Sequence, residues 1–201
     1  YMLVRGTISR IFSYYFTSPW CKDEVLRAFR EFVGEKVSKT VAMDTIGVEN
    51  EGYFNEWFLY DYMRADGRTT LHHFVHTNPL GLAKQEMVFY STLLETNHYG
   101  LFKIVSVQKM IGMRLEDIQT RKRYDVREMS ATLQVQPKQI LFGRVANAGI
   151  HWELVGGDTY AVAGDIHSLL KDEFGSIKKL TPKDAYNLLK LHGEKSIGFQ
   201  P

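Results

Sequence analysis

Residues 98–129 read HYGLFKIVSVQKMIGMRLEDIQTRKRYDVREM, and their apolar side chains are spaced differently from those that precede them. Apolar and polar residues alternate in short runs at 101–107, 110–118 and 122–129, which is typical of strands with one buried face. Similar runs follow at 140–146, 150–155 and 159–162. We predict a β-barrel of five or six strands, SH3-like or OB-like, because closure removes exposed sheet edges. An open sheet covered by helices is the alternative.

Upstream of residue 98 the apolar spacing is helical. Residues 25–37 place apolar side chains three and four positions apart, with Ser18 as the expected N-cap and Pro19 as the first helical residue. Residues 53–63 are apolar on nearly every side, which predicts a helix inside a packed core. The first 21 residues superficially resemble a targeting segment, but their inward apolar face favours a folded helix.

Turn and cap residues divide the rest of the helical sequence. Thr69 or Thr70 is expected to cap a short helix through His76, and Asn78-Pro79 to begin another through about Glu95. At the other end of the chain, one helix is expected between Asp165 and Gly175 and a second after Thr181-Pro182. We expect both to pack back on the body of the protein.

These patterns predict an α+β protein in three parts. The parts are a helical module (1–97), a small β-barrel-like module (98–163) and two C-terminal helices (164–201). A length of 201 residues, 44% of them hydrophobic and 24% charged, is typical of a globular chain. No apolar run approaches the roughly 20 residues needed to cross a bilayer. The single cysteine, Cys21, excludes an intrachain disulfide and fits a reducing compartment, so a cytoplasmic location is expected.

The net charge of +2 hides an uneven distribution. Residues 98–147 hold nine Lys and Arg against four Asp and Glu, whereas the flanking segments are slightly acidic. This segment includes the basic stretch at 119–124, which we place at a hairpin tip. The alternative is a solvated turn that binds no partner and prevents edge-to-edge aggregation.

The basic segment predicts a binding surface on the barrel. We expect cationic groups to contact a nucleic acid or an acidic protein, with aromatic side chains adding contact area. The charged residues are Arg114, Arg121, Lys122 and Arg123, and the aromatic residues are Phe102 and Tyr124. The predicted function is therefore binding or regulation without catalysis and without a cofactor. A scaffold or inhibitor with an exposed apolar patch is a further alternative.

A histidine cluster supports a competing hypothesis. His72 and His76 are one helical turn apart, a spacing that can chelate a divalent metal. A metal-assisted hydrolase would need a third ligand, for which Asp61 or His98 is the candidate. Position 73 is another histidine, so the HExxH pattern is absent, as are the phosphate-loop, GxGxxG and GxSxG signatures. The alternative is the solvated face of a short helix.

Two carboxylates lie within the apolar helix, Glu56 and Asp61. Five residues of helix would point them about 140° apart, so we do not expect them to work as a pair on one substrate. We expect Asp61 to pair with Arg64 or Arg68 instead.

Residues 54–74 (FNEWFLYDYMRADGRTTLHHF) followed by 100–107 (GLFKIVSV) resemble a group of uncharacterised bacterial proteins, many of which end in a cysteine-rich, zinc-binding SEC-C motif. The matching features are the aromatic helix at 57–61, the turn at 66–69 and the strand at 115–117, within about residues 22–160. This chain lacks the cysteines of the tail. The resemblance implies an architecture and a bacterial or phage-like origin, and it implies no catalytic residue.

Overall fold

The computed structural model describes residues 2–34, 51–156, 160–162 and 179–192, and it confirms the predicted α+β fold. The described helices are α1 (Met2–Thr17), α2 (Lys22–Val33), α3 (Glu51–Tyr60), α4 (Thr70–Thr77), α5 (Lys84–Thr96) and α6 (Pro182–His192). The described strands are β1 (His98–Gln108), β2 (Gly112–Asp117), β3 (Arg123–Arg127), β4 (Ile140–Asn147), β5 (Trp152–Leu154) and β6 (Tyr160–Val162). Single 3-10 turns lie at Pro19–Cys21 and Ala131–Leu133.

Helix α3 is the core helix of the N-terminal part, as its sequence predicts. Seven of its 10 residues are buried. Phe54 packs edge-on against Phe29 and Phe32 of α2, with ring centroids 5.6 and 5.5 Å apart. Helix α6 covers the same cluster, since the ring centroids of Tyr186 and Phe32 are 4.9 Å apart. The C-terminal helix therefore packs on the helical part.

Cap residues explain where several helices begin. Thr69 accepts a hydrogen bond from the N–H of His72 at 3.3 Å and caps α4, as predicted. Ser18 and Pro19 occupy the predicted N-cap and first positions, but of a 3-10 turn, and α2 itself begins three residues later at Lys22. The hydroxyl of Ser18 caps no helix and donates instead to the carbonyl of Tyr14 at 2.5 Å. At the end of the chain, the N–H of Thr181 donates to Asp184 at 2.8 Å, which fixes the start of α6.

Helix α5 begins five residues later than Asn78-Pro79 predicts. Asn78 lies in the left-handed region (φ 41°) and ends α4. Its amide group exchanges hydrogen bonds with the backbone of Leu82, at 2.8 and 3.0 Å. This side chain closes a turn that delays the next helix to Lys84. The helix expected between Asp165 and Gly175 lies outside the described residues, as does Val37.

Five strands close into a barrel. Strand β1 pairs with β2, β2 with β3, β3 with β5, β5 with β4, and β4 returns to β1. All pairs are antiparallel except β3 with β5. The order 1-2-3-5-4 with one parallel pair is that of an OB-fold barrel. Strand β6 adds to the free edge of the first half of β4.

Strand β4 is buried on both faces, which explains its continuous apolar sequence. Leu141 and Val145 point into the barrel. Ile140, Phe142 and Ala146 alternate with them and join the core that the barrel shares with the helices. The barrel is thus fixed to the helical part through β1 and β4. Its opposite side, formed by the second half of β1 together with β2 and β3, carries exposed side chains.

Candidate nucleic-acid interface

The outer face of β1, β2 and β3 gathers most of the predicted basic residues. Three cross-strand rows follow from the register. They are Lys103, Glu116 and Arg123; Ser106, Arg114 and Asp125; and Gln108, Gly112 and Arg127. We call the charged part of this surface the basic face, which comprises Lys103, Arg114, Glu116, Arg121, Arg123, Asp125 and Arg127. Five cations against two carboxylates leave an excess of three positive charges.

A bulge in β1 shapes this face. The pairing of β1 with β2 shifts between Ile104 and Ser106, so that the extra residue Val105 and its neighbour Ser106 are both exposed. The bulge brings Ser106 beside Arg114 while Ile104 stays in the barrel core.

A groove of about 560 Å³ crosses the face. Its lining comes from β1, β2 and β3, together with Ile111 of the β1–β2 turn and His151 of the β4–β5 turn. Gly112 forms part of the floor, and a Cβ at this position would overlap the carbonyl oxygen of Val126. A side chain at position 112 is therefore incompatible with the present strand spacing, and the groove stays open there.

Ion pairs hold several arginines against the sheet. Arg114 donates to both carboxylate oxygens of Asp125 at 2.7 and 3.3 Å, which raises the pKa of Arg114 and lowers that of Asp125. Glu116 accepts from Arg123 at 2.8 Å and from Arg121 at 3.5 Å, and these arginines lower its pKa. The exposed pairs fix geometry more than they add stability.

Arg127 has a different environment from these paired arginines. It is exposed, lines the groove and has no ion pair with any described residue. Of the two arginines that line the groove, Arg127 is therefore more available to an incoming anion than Arg114, which is paired with Asp125.

The aromatic part of the prediction is wrong. Phe102 and Tyr124 are fully and almost fully buried, and their rings pack edge-on inside the barrel, 5.7 Å apart. The reason is that side chains alternate along a strand: in β3, Tyr124 and Val126 point inward, and the charged residues that alternate with them point outward. These rings stabilise the barrel and offer no contact area.

Lys122 lies away from the groove lining. Its ammonium is 5.1 Å from the ring of Tyr124 and 5.2 Å from that of Trp152, over one end of the barrel. Of the four predicted cations, Arg114 lines the groove, whereas Arg121 and Arg123 lie beside it on the same face, where both pair with Glu116. Lys122 lies on a neighbouring surface.

A buried carboxylate anchors the basic hairpin turn between β2 and β3. Asp117 accepts backbone hydrogen bonds from Gln119 at 2.8 Å and Thr120 at 2.6 Å. Its other oxygen lies 2.5 Å from Nε2 of His98. Burial alone would raise the pKa of Asp117, but these hydrogen bonds outweigh it and lower the pKa. The turn that carries Arg121 is thus fixed to β1.

The arginine in the middle of β4 is not part of the basic face. Arg144 is buried, donates to Glu56 at 2.9 Å and to Asn97 at 2.7 Å, and forms a short ion pair with Asp61. Its guanidinium also lies 4.4 Å from the ring of Tyr60. Burial disfavours its charge, but Asp61 and Glu56 outweigh this and raise the pKa of Arg144.

The two carboxylates thus converge, against the prediction from helical geometry. Helix α3 ends at Tyr60, and the N–H of Tyr62 bonds to the carbonyl of Trp57, five residues back. One guanidinium joins the two carboxylates because it offers a different nitrogen to each, Nε to Glu56 and Nη2 to Asp61. Asp61 pairs with Arg144 and with Lys179 at 3.0 Å, and the predicted pairing with Arg64 or Arg68 is wrong.

The histidine cluster does not assemble the ligands of the hydrolase hypothesis. The rings of His72 and His76 are close, with centroids 4.3 Å apart. Asp61 is engaged by Arg144, and His98 by Asp117. Within the described ranges, no three His, Cys, Asp or Glu side chains are grouped to hold a metal ion. His73 instead bonds to the hydroxyl of Tyr15 at 2.6 Å, and burial lowers its pKa.

The model of a family of unknown function, DUF7986, matches residues 9–151. The chain belongs to this family. The match extends from α1 to the β4–β5 turn and so includes Glu56, Asp61, Arg144 and the strands of the basic face. Comparisons with curated proteins and with solved structures give no match. Among the helices that are described, none is long and apolar enough to cross a bilayer.

Sequence reasoning missed two features of this site. The groove depends on Ile111 and His151, which come from turns far apart in the sequence. The buried network depends on Arg144, whose position within the apolar run ILFGRVAN was a usable signal. A charge within a strand buried on both faces requires a partner, because an unpaired buried charge is very unfavourable.

Proposed function

We propose that this protein binds nucleic acid on the basic face, with the phosphate backbone held along β1, β2 and β3. The observation that carries the proposal is the groove, which is lined by Arg114 of β2 and Arg127 of β3 from neighbouring cross-strand rows and by residues of the β1–β2 and β4–β5 turns. In barrels with this strand order, the same strands and turns commonly bind oligonucleotides. The likeness of fold supports nucleic-acid binding only by analogy, whereas the positive charges of the basic face support it directly.

The described part of the basic face has no exposed aromatic ring, since Phe102 and Tyr124 are buried. Binding is therefore expected to be mainly electrostatic and weakly dependent on sequence. The logarithm of affinity should fall with the logarithm of salt concentration by about 0.7 for each phosphate neutralised on a single strand.

The test is fluorescence anisotropy with a labelled oligonucleotide at several salt concentrations. Replacing Arg121, Arg123 and Arg127 with Glu should abolish detectable binding. Replacing the same three with Gln should lower the salt slope by up to about 2, since three phosphate contacts are removed. The matched control carries Glu at three exposed cations of the helical part, Lys22, Arg68 and Lys84.

The control has the same change in net charge and should keep most of the affinity. Equal losses in the two Glu variants would show that only the total charge matters, which would refute a defined site. An acidic peptide serves as a competitor. If it displaces the oligonucleotide at equal charge concentration, the partner is an acidic protein surface and the proposal is wrong.

A further inference from the structure

Exposed aliphatic side chains lie in turns that contribute to the groove or contact such a turn. Met110 and Ile111 in the β1–β2 turn are 55% and 63% exposed, Leu133 is 57% exposed, and Ile150 in the β4–β5 turn is 93% exposed. We call these four residues the aliphatic rim. Single exposed apolar residues are common on proteins, whereas a group of them beside a cleft marks an interaction site.

The four rim residues come from three segments that border the groove or one another. The N–H of Met110 donates to the hydroxyl of Thr132, next to Leu133, at 2.9 Å. Ile111 lines the groove itself, and Ile150 directly precedes His151, which lines it from the other turn. Met110 also holds a left-handed backbone (φ 63°), a conformation that non-glycine residues seldom adopt.

The rim adjoins the basic face, since Ile111 lines the same groove as Arg114 and Arg127. A ligand that satisfies both surfaces must present anionic groups and apolar flat faces within a few ångströms of each other. A nucleotide with an unpaired base does so. In a duplex the base faces are stacked on one another, and only the edges and phosphates are accessible.

We propose that the aliphatic rim receives unpaired nucleobases of a single strand whose phosphates lie on the basic face. This inference rests on the proposed function and specifies its substrate class. Phosphate contacts supply affinity for polyphosphate as well as for an oligonucleotide, while the rim adds affinity only for ligands with accessible bases. The protein then prefers single strands to duplexes of the same length.

The experiment compares three probes: a labelled 12-residue oligothymidylate, a duplex of equal length, and inorganic polyphosphate as a competitor without bases. Replacing Ile111 and Ile150 with Ser should weaken oligothymidylate binding about tenfold, as expected for losing two apolar contacts. Duplex binding, polyphosphate competition and the salt slope should stay unchanged. Since both side chains are exposed, the melting temperature should change little, and this is measured first.

The matched control replaces Met63 and Val88 with Ser, two side chains of the helical part that are 56% and 58% exposed. This control should bind like the wild type. An equal loss for oligothymidylate and polyphosphate in the rim variant would overturn the inference, and so would no loss for either. If the wild-type protein binds none of the three probes, the proposed function itself fails. Binding to phosphatidylserine vesicles that the rim variant loses, with unchanged oligonucleotide binding, would assign the rim to a lipid surface instead.

Discussion

Replacing Arg144 with Met should strongly destabilise the protein. The substitution keeps an elongated side chain but leaves Glu56 and Asp61 buried without their common partner, at 1% and 2% exposure. It also removes the hydrogen bond to Asn97 and the cation over Tyr60. Lys179 still reaches Asp61, but its own side chain is mostly exposed and compensates only in part.

The expected loss is about 3–5 kcal/mol in the free energy of unfolding, the usual effect of removing one partner of a buried ion pair. For a chain of this size, about 2–4 °C of melting temperature corresponds to 1 kcal/mol, so the midpoint should fall by roughly 6–20 °C.

Urea unfolding followed by circular dichroism measures these free energies. A triple variant that also carries Glu56→Gln and Asp61→Asn should recover most of the loss, since no uncompensated charge remains. The control Arg68→Met removes an exposed arginine and should change stability by less than about 0.5 kcal/mol. A loss below about 1 kcal/mol in Arg144→Met, or a triple variant no more stable than the single one, would refute this reasoning.

Three further predictions concern single residues. Because the pKa of Asp117 is lowered in the folded protein, its contribution to stability is present above about pH 4 and is lost as the pH falls below that. Asp117→Asn should therefore cost about 2 kcal/mol at pH 7 and less at pH 3, and equal losses in urea unfolding at the two values would contradict this. Gly112→Ala should cost about 1–3 kcal/mol in a thermal melt, since its methyl group overlaps the carbonyl of Val126, and an unchanged melting temperature would disprove the close approach. His73 has a lowered pKa, so the unfolded chain takes up its proton first and stability should decline as the pH drops below about 6.5. His73→Asn, which keeps a polar group beside the hydroxyl of Tyr15, should remove part of that decline between pH 7.5 and 5.5, and parallel curves for the two proteins would count against it.

The strands were predictable because their pattern is local. In β3, charged and apolar residues alternate from Arg123 to Arg127, so the position of Tyr124 inside the barrel could have been read from the same pattern. Phe102 was harder to orient, because the first half of β1 is buried on both sides and no alternation is visible. The OB-like order of strands depends on the parallel pairing of β3 with β5, which no local sequence feature reveals.

The candidate site was predictable only in its charge. Of the residues that make up the local excess of Lys and Arg, Arg114 and Arg123 lie on one strand face and Arg121 lies in the adjoining turn. The same excess also counted Arg144, which neutralises buried carboxylates 83 and 88 residues away in the sequence. Contacts at such separations depend on how the helices dock on the barrel, and spacing rules for a single helix do not describe them.

The attachment of β4 to the helices limits how this barrel can be used by evolution. Its outer side presents Ile140, Phe142 and Ala146 to the helical core, with a cation between them whose counterions belong to α3 and the turn after it. Without the helices, the barrel would expose this apolar strip and the guanidinium of Arg144, which would have lost its two carboxylate partners. Recombination that transferred the five strands alone would therefore yield a fragment that aggregates. We expect the barrel to be inherited together with its helices.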